Sequence, residues 1–370
     1  MKRNSLYWQL LHSEAMLRQL QQETCLGRFC QLLRGFWQLP LMTDDEVLAT
    51  LSSGNKAPVE PDFGLFCAFW SPALYDAGRK QLSWIPAEDK PDSPFYTEHI
   101  TRLKGQLLAA LVQPKTLLAV ILNWTDFLPN VTPSGFIFHV SRCGSTLVSQ
   151  SFAALAQCRV LSESPLLTQV LLDSNLSETE KAKTLRLCIN LQGRLYGSER
   201  HLIIKWNAWD LQFWPLIQKQ YQNVTVLLLV RDPVEILASH QKSAGFHMVK
   251  LHHFDLFPEL VGAAELPILE YRSAVLQLLL KYCLVISTSR HVLMVDYSEL
   301  LPAICEKIAD WFALDLSAQD KISCRQSQRV YSKNPGQLFE PDKKEKQSLF
   351  TEQEKVLIQR YCLDLYLKCL

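Results

Sequence analysis

Residues 135–147 read Gly135-Phe136-Ile137-Phe138-His139-Val140-Ser141-Arg142-Cys143-Gly144-Ser145-Thr146-Leu147, and no other stretch constrains the fold as much. An apolar strand, Phe136 to Val140, runs into a short loop of small and hydroxyl residues with one arginine, and a helix is expected from Leu147 to Ala156. Strand, loop and helix in that order aim unpaired backbone N–H groups and the positive end of the helix dipole at one point. Such a point binds phosphate. It does not match the nucleotide-kinase pattern G-x-x-x-x-G-K-[ST]. With Gly144 as the second glycine, the first falls on His139 and the lysine on Ser145, while Thr146 keeps the hydroxyl position. The anion expected here is therefore not the β,γ-phosphate of ATP.

A second run, Val224-Thr225-Val226-Leu227-Leu228-Leu229-Val230, reads as a strand buried on both faces, as in a parallel sheet. Arg231 stands at its carboxyl end, where open α/β sheets bind ligands. Asp232 suits a helix N-cap, Pro233 the first helical position, and Ser239 lies two turns on. Two other readings stay open: Arg231 as an ordinary strand-end arginine, and Asp232 as a magnesium ligand of Walker-B type.

Together, Ser141-Arg-Cys-Gly-Ser-Thr-Leu147 and Arg231-Asp-Pro with Ser239 resemble the two signature motifs of the sulfotransferases, which use 3'-phosphoadenosine 5'-phosphosulfate (PAPS). The resemblance extends over roughly residues 131 to 340. It includes the strand, acidic turn and helix of His291-Val-Leu-Met-Val-Asp-Tyr-Ser-Glu-Leu300 and Pro302 to Leu314. The first motif is also similar to a bacterial branch of sulfotransferase-like proteins. The resemblance implies that Ser141, Arg142, Cys143, Gly144, Ser145 and Thr146 cradle the 5'-phosphosulfate, and that Arg231 and Ser239 hold the 3'-phosphate. Lys333, in Tyr331-Ser332-Lys333-Asn334-Pro335, resembles a late basic segment that closes over the nucleotide; an exposed Ser-Lys pair is the alternative.

The expected fold class is α/β: a P-loop-type parallel sheet flanked by helices, with a mainly helical N-terminal extension. Strand candidates at 136–140, 159–162, 202–205, 224–230 and 291–296 alternate with helices, the pattern of a covered parallel sheet. Residues 1–130 are expected to form the extension and 131–370 the α/β domain. Within the extension, helical spacing up to about residue 52 gives way to a Gly/Pro break over Ser52 to Asp62, then to an aromatic, strand-like stretch from Phe63 to Trp84. The extension reads as a helical layer on the core or, alternatively, as a cap that binds the acceptor.

At 370 residues, 48% hydrophobic and 20% charged, the chain reads as a globular protein. Its net charge of +1 gives no basic field for nucleic acid and no basic tail for a membrane surface, so neither partner is expected. Eleven cysteines lie scattered, with no C-x-x-C pair and no zinc-like spacing, and most read as small buried residues of a reducing compartment. Cys143 is the one that could react, with a filler role preferred. His12, Ser13 and Glu14 interrupt any apolar leader, so the expected location is cytoplasmic.

Sulfuryl transfer needs a base for the acceptor hydroxyl, a cation for the developing charge and clamps for the nucleotide. Lys205 ends the strand His201-Leu-Ile-Ile-Lys205 and resembles the family's lysine on the sulfate or leaving oxygen; a snorkelling strand-end lysine is the alternative. Asn207 stands where cytosolic sulfotransferases carry a histidine base. Glu163, after the strand Arg159 to Ser162, resembles the glutamate of tyrosylprotein-type sulfotransferases. Partly desolvated, it is expected to have its pKa raised towards neutrality and to act as the base; its other reading is a neighbour of the Pro165 helix start. His139 and His247 are the next candidates for the base. Arg142 is expected to touch the phosphosulfate, or else to make a structural salt bridge. His247, His252 and His253 do not match a helical zinc pair and read as solvent or acceptor contacts. The expected function is a PAPS-dependent sulfotransferase acting without a metal on a hydroxyl (or amine) of a small-molecule or peptide acceptor. Its rivals are an ATP/magnesium P-loop kinase and a catalytically idle nucleotide-binding module.

Overall fold

The computed structural model describes residues 5–87, 90–91, 93–250, 256–263, 265–328 and 348–370. The chain divides into two compact units, Met1–Val131 with Ser164–Arg194, and Thr132–Glu163 with Leu195–Leu370. Residues 164–194 thus join the N-terminal unit and not the sheet domain to which the sequence division at 130/131 assigns them. Polar ties of long sequence range explain why. The Gln192 amide donates to the Pro72 carbonyl (2.9 Å), Arg194 Nη2 to the Trp70 carbonyl (3.1 Å) and the Tyr75 hydroxyl to Asp173 Oδ2 (2.7 Å). Each satisfies a buried or half-buried group whose partner lies about a hundred residues away, which local pattern cannot reveal.

In the first unit, helices at Leu6–Leu11, Glu14–Gln21, Leu26–Phe36 and Asp44–Lys56 precede an antiparallel sheet of β1 (Trp70–Asp76), β2 (Gln81–Pro86) and β3 (Lys115–Leu117). The Asp44–Lys56 helix opens on a reciprocal cap between Thr43 and Glu46 and runs through Ser52–Lys56, the first five residues of the expected break. Gly54 allows this, because the Tyr7 ring lies where its Cβ would be. Helices Pro165–Leu172 and Glu178–Gln192 complete the unit, the second capped reciprocally by Ser177 and Glu180.

The second unit is built on a five-stranded parallel sheet. Its strands are β4 (Gly135–His139), β5 (Cys158–Ser162), β6 (His201–Lys205), β7 (Thr225–Val230) and β8 (Val292–Asp296), in the order β5-β6-β4-β7-β8. All five fall within one residue of their expected positions. β4 is central and buried at every residue, as its unbroken apolar run requires, whereas β8 is an edge strand and half-buried. Phe136, Phe138, Trp206, Trp214 and Tyr221 form a cluster of edge-to-face contacts, with the Phe138 and Trp206 rings parallel at 5.8 Å. The helix after β4 spans Ser145–Ala153, so it starts two residues earlier and ends three earlier than the apolar pattern suggests. Gly144, in the left-handed region at φ +83°, turns the chain tightly enough for the helix to begin at once. Cys305 and Cys324 form a disulfide, and the other nine cysteines are thiols. No described helix is long and apolar enough to cross a membrane.

Candidate active site

The loop between β4 and its helix holds three left-handed residues: Ser141 (φ +72°), Arg142 (φ +52°) and Gly144 (φ +83°). Left-handed residues of this kind recur in backbone hollows that hold anions, and here the Ser141 N–H is taken up by His139. For Ser141 and Arg142 the conformation costs of order 1 kcal/mol each. Several ties hold it. The Ser141 N–H donates to His139 Nδ1 (3.1 Å), Ser141 Oγ meets His240 Nε2 (3.1 Å), and Arg142 Nη2 donates to the Ser243 carbonyl (2.6 Å). Arg231 Nη1 donates to the Arg142 carbonyl (3.2 Å). His240 Nδ1 accepts from the Gly245 N–H (3.1 Å), so its neutral ring carries the proton on Nε2 and donates it to Ser141. Arg142 thus binds a carbonyl at the end of helix Pro233–Lys242, where a cation suits the dipole. Cys143 is fully buried, and burial pushes its thiol up to about 12, which makes it a filler and not a reactive group.

Register assembles the next residues. Ser162 pairs with Lys205 across β5 and β6, so these two strands end level, and Lys205 pairs with Ile137 of β4, which runs two residues further to His139. Ser162 Oγ also bonds Ser149 Oγ of the loop helix (3.2 Å). Lys205 is completely buried. Its Nζ lies 2.7 Å from Glu163 Oε1 and 3.1 Å from Thr146 Oγ1. Glu163 leaves its strand in the left-handed region (φ +54°), anchored by its N–H on the Lys205 carbonyl (2.8 Å), with 22% of its side chain exposed. His139 Nε2 lies 3.5 Å from the same Glu163 oxygen. Burial pushes the Glu163 carboxyl upward, but the Lys205 ammonium and His139 outweigh it and hold the group well below the usual carboxylate range. The expectation of a pKa raised towards neutrality is corrected: the sequence indicates desolvation but not the buried cation at contact distance. His139 does not serve as a base in this arrangement, because its Nδ1 is taken by the Ser141 N–H and the neutral ring then carries its proton on Nε2.

Arg231 is buried. Its Nε and Nη2 donate to Glu235 Oε2 (2.8 and 2.5 Å), and its guanidinium lies 3.8 Å from the Tyr297 ring centroid. Asp232 caps helix Pro233–Lys242, accepting from the Val234 and Glu235 N–H groups (2.8 and 3.1 Å). Those bonds give Asp232 the helix-cap role. Ser239 is half-buried on the same helix. Asn207 and Asp210 cap the turn Ala208–Phe213, so the residue in the histidine position is structural. His247 is buried, its ring 5.5 Å from Trp209 and 5.4 Å from His240, and so is not the solvent contact that was one of its expected roles. Lys333, His252 and His253 lie outside the described residues. Among the described residues no group of three His, Cys, Asp or Glu side chains is placed to hold a metal ion. Sequence reasoning missed the roles of Glu235 and His240. The four-residue spacing of Arg231, just before the Asp232 cap, and Glu235, in the first turn of the helix, was legible; no local signal joins His240 to Ser141.

The fold and loop define an α/β protein of P-loop type whose titratable side chains gather at the carboxyl edge of its central strands. Neither a protein-family model nor a curated protein matches the sequence. Among solved structures the chain is similar to several sulfotransferases. One from Mycobacterium avium shares 12% identity, with 65% of this chain and 78% of that one covered and a TM-score of 0.41. The sulfotransferase domain of the curacin biosynthetic pathway shares 14%, covering 64% and 99%, with a TM-score of 0.39. A mouse sulfotransferase complexed with PAP shares 15%, covering 65% and 88%, with a TM-score of 0.36. Likeness at this level goes no further than the fold.

Proposed function

We propose that this chain transfers the sulfuryl group of PAPS to a hydroxyl (or amine) of a small-molecule or peptide acceptor. One observation carries the reading: a carboxylate and a buried ammonium, from adjacent parallel strands, meet beside the first helical turn of the anion loop. In this scheme the loop N–H groups, Ser145, Thr146 and Arg142 hold the phosphosulfate. Arg231 and Ser239 hold the 3'-phosphate, with Lys333 closing over the nucleotide. Glu163 takes the acceptor proton as the new O–S bond forms. The S–O bond to the nucleotide breaks, and Lys205 stabilises the electron pair left on the departing phosphate oxygen. Paired as it is, Glu163 is a weak base. It gains basicity when Lys205 turns from it to the sulfuryl or leaving oxygen, so the pair is a resting arrangement that substrate undoes.

Incubation with sulfur-labelled PAPS and a broad panel of alcohols and amines is expected to yield a labelled sulfate ester or sulfamate. Adenosine 3',5'-bisphosphate at a hundredfold over its Kd is expected to stabilise the protein by about 2.7 kcal/mol. Equal stabilisation by ATP with magnesium, abolished by EDTA, would overturn the reading in favour of a kinase.

A further inference from the structure

The Glu163–Lys205 pair leaves a problem that a third residue answers. If Lys205 leaves Glu163 during transfer, the carboxylate sits at the end of a strained turn with its main partner gone. His139 is the residue placed to keep it in position. It is buried on the last residue of β4, its orientation set by the Ser141 N–H at Nδ1, and its Nε2 faces the oxygen Lys205 holds. At 3.5 Å that contact is longer than a formed hydrogen bond, as expected while Lys205 occupies the same oxygen at 2.7 Å. Catalytic hydrogen bonds are often long in the substrate-free protein and tighten in the complex.

We propose that His139 is a positioning residue: its Nε2–H takes over the Glu163 carboxylate when Lys205 turns to the sulfuryl group, while its Nδ1 stays fixed to the anion loop through Ser141. The two nitrogens have separable jobs. One faces the carboxylate and the other holds the loop, so the ring ties the loop's position to the carboxylate's. The charged or titratable groups bearing on Glu163 are Lys205 and His139. The nearby Cys143 stays a neutral thiol.

The proposal rests on the sulfotransferase reading for its purpose but not for its test. Asparagine presents a side-chain oxygen where His139 has Nδ1, and glutamine an amide N–H where it has Nε2, so the two variants each keep one job. In the Lys205→Met background, where the competing cation is gone, the Glu163 carboxyl is titrated by carbon-13 NMR of glutamate-labelled protein. Its resonance is assigned with Glu163→Gln. His139→Asn is expected to raise the Glu163 midpoint by at least about one pH unit, a tenfold change in proton affinity, and His139→Gln to leave it nearly unmoved. With Lys205 intact the same ordering holds with a smaller shift, which keeps the test available if Lys205→Met fails to fold. Where turnover of PAPS is measured, His139→Asn lowers kcat roughly tenfold to a hundredfold with KM for PAPS unchanged, and His139→Gln recovers most of kcat. Equal Glu163 midpoints in folded Asn and Gln variants would overturn the proposal. Absence of PAPS turnover in every form, with the midpoints still split, would instead sink the function and leave the positioning role standing.

Discussion

Arg231→Ala tests whether this arginine is first a structural strut and only then a nucleotide clamp. In the native fold Arg231 and Glu235 keep only 6% and 5% of their side chains exposed, and both Arg231–Glu235 bonds converge on one oxygen. Removing the cation leaves a buried carboxylate with its main partner gone, which costs about 3–5 kcal/mol. The stacking on Tyr297 and the bond to the Arg142 carbonyl each add about 1 kcal/mol at most, and these contributions overlap. A loss of about 4 kcal/mol is therefore expected, and at roughly 2–4 °C per kcal/mol for a unit of this size Tm falls by about 10 °C. Urea unfolding followed by far-UV circular dichroism measures the loss. Arg231→Met combined with Glu235→Leu removes both charges and is expected to return to within about 2 kcal/mol of the parent. Its affinity for adenosine 3',5'-bisphosphate should stay low, because the clamp is still missing. A single variant destabilised by less than about 1 kcal/mol, or a double variant no better than the single, would refute this account of the ion pair.

Glu163→Gln is expected to lower turnover roughly a hundredfold while bisphosphate binding survives, measured by steady-state kinetics and calorimetry. The same variant tests the pH dependence of stability. The native carboxyl sits below its ordinary value near 4.5, so its contribution is complete above that pH and fades as pH falls below it; the Gln variant should therefore lose less stability than the parent on acidification below pH 4.5. Gly144→Ala forces an L side chain into φ +83° and its Cβ onto Leu300, so a loss of at least about 2 kcal/mol is expected by denaturant titration. Cys143, held as a thiol near 12, should react with iodoacetamide at pH 8 about a thousandfold more slowly than free cysteine, followed by mass spectrometry.

The linear order of residues determined the strands, the anion loop and the Asp232–Pro233 helix start. These depend on apolar runs and capping chemistry that act over a few neighbours, and each was legible within one or two residues. It also put Lys205 and Glu163 at strand ends, where an α/β sheet presents its functional groups. Only the tertiary structure decided what those groups meet. The register that sets Ser162 against Lys205 brings a carboxylate within 2.7 Å of an ammonium forty-two residues away, and this reversed the expected direction of the Glu163 pKa. It also decided that Arg231 is neutralised by Glu235, that His139 and His240 hold the loop, and that helices 165–172 and 178–192 belong with the N-terminal unit. Burial can be read from composition along the chain, but the sign of a buried charge's pKa shift depends on which partner shares the burial. Chain folding brings such partners together across long sequence separations, where local pattern carries no information.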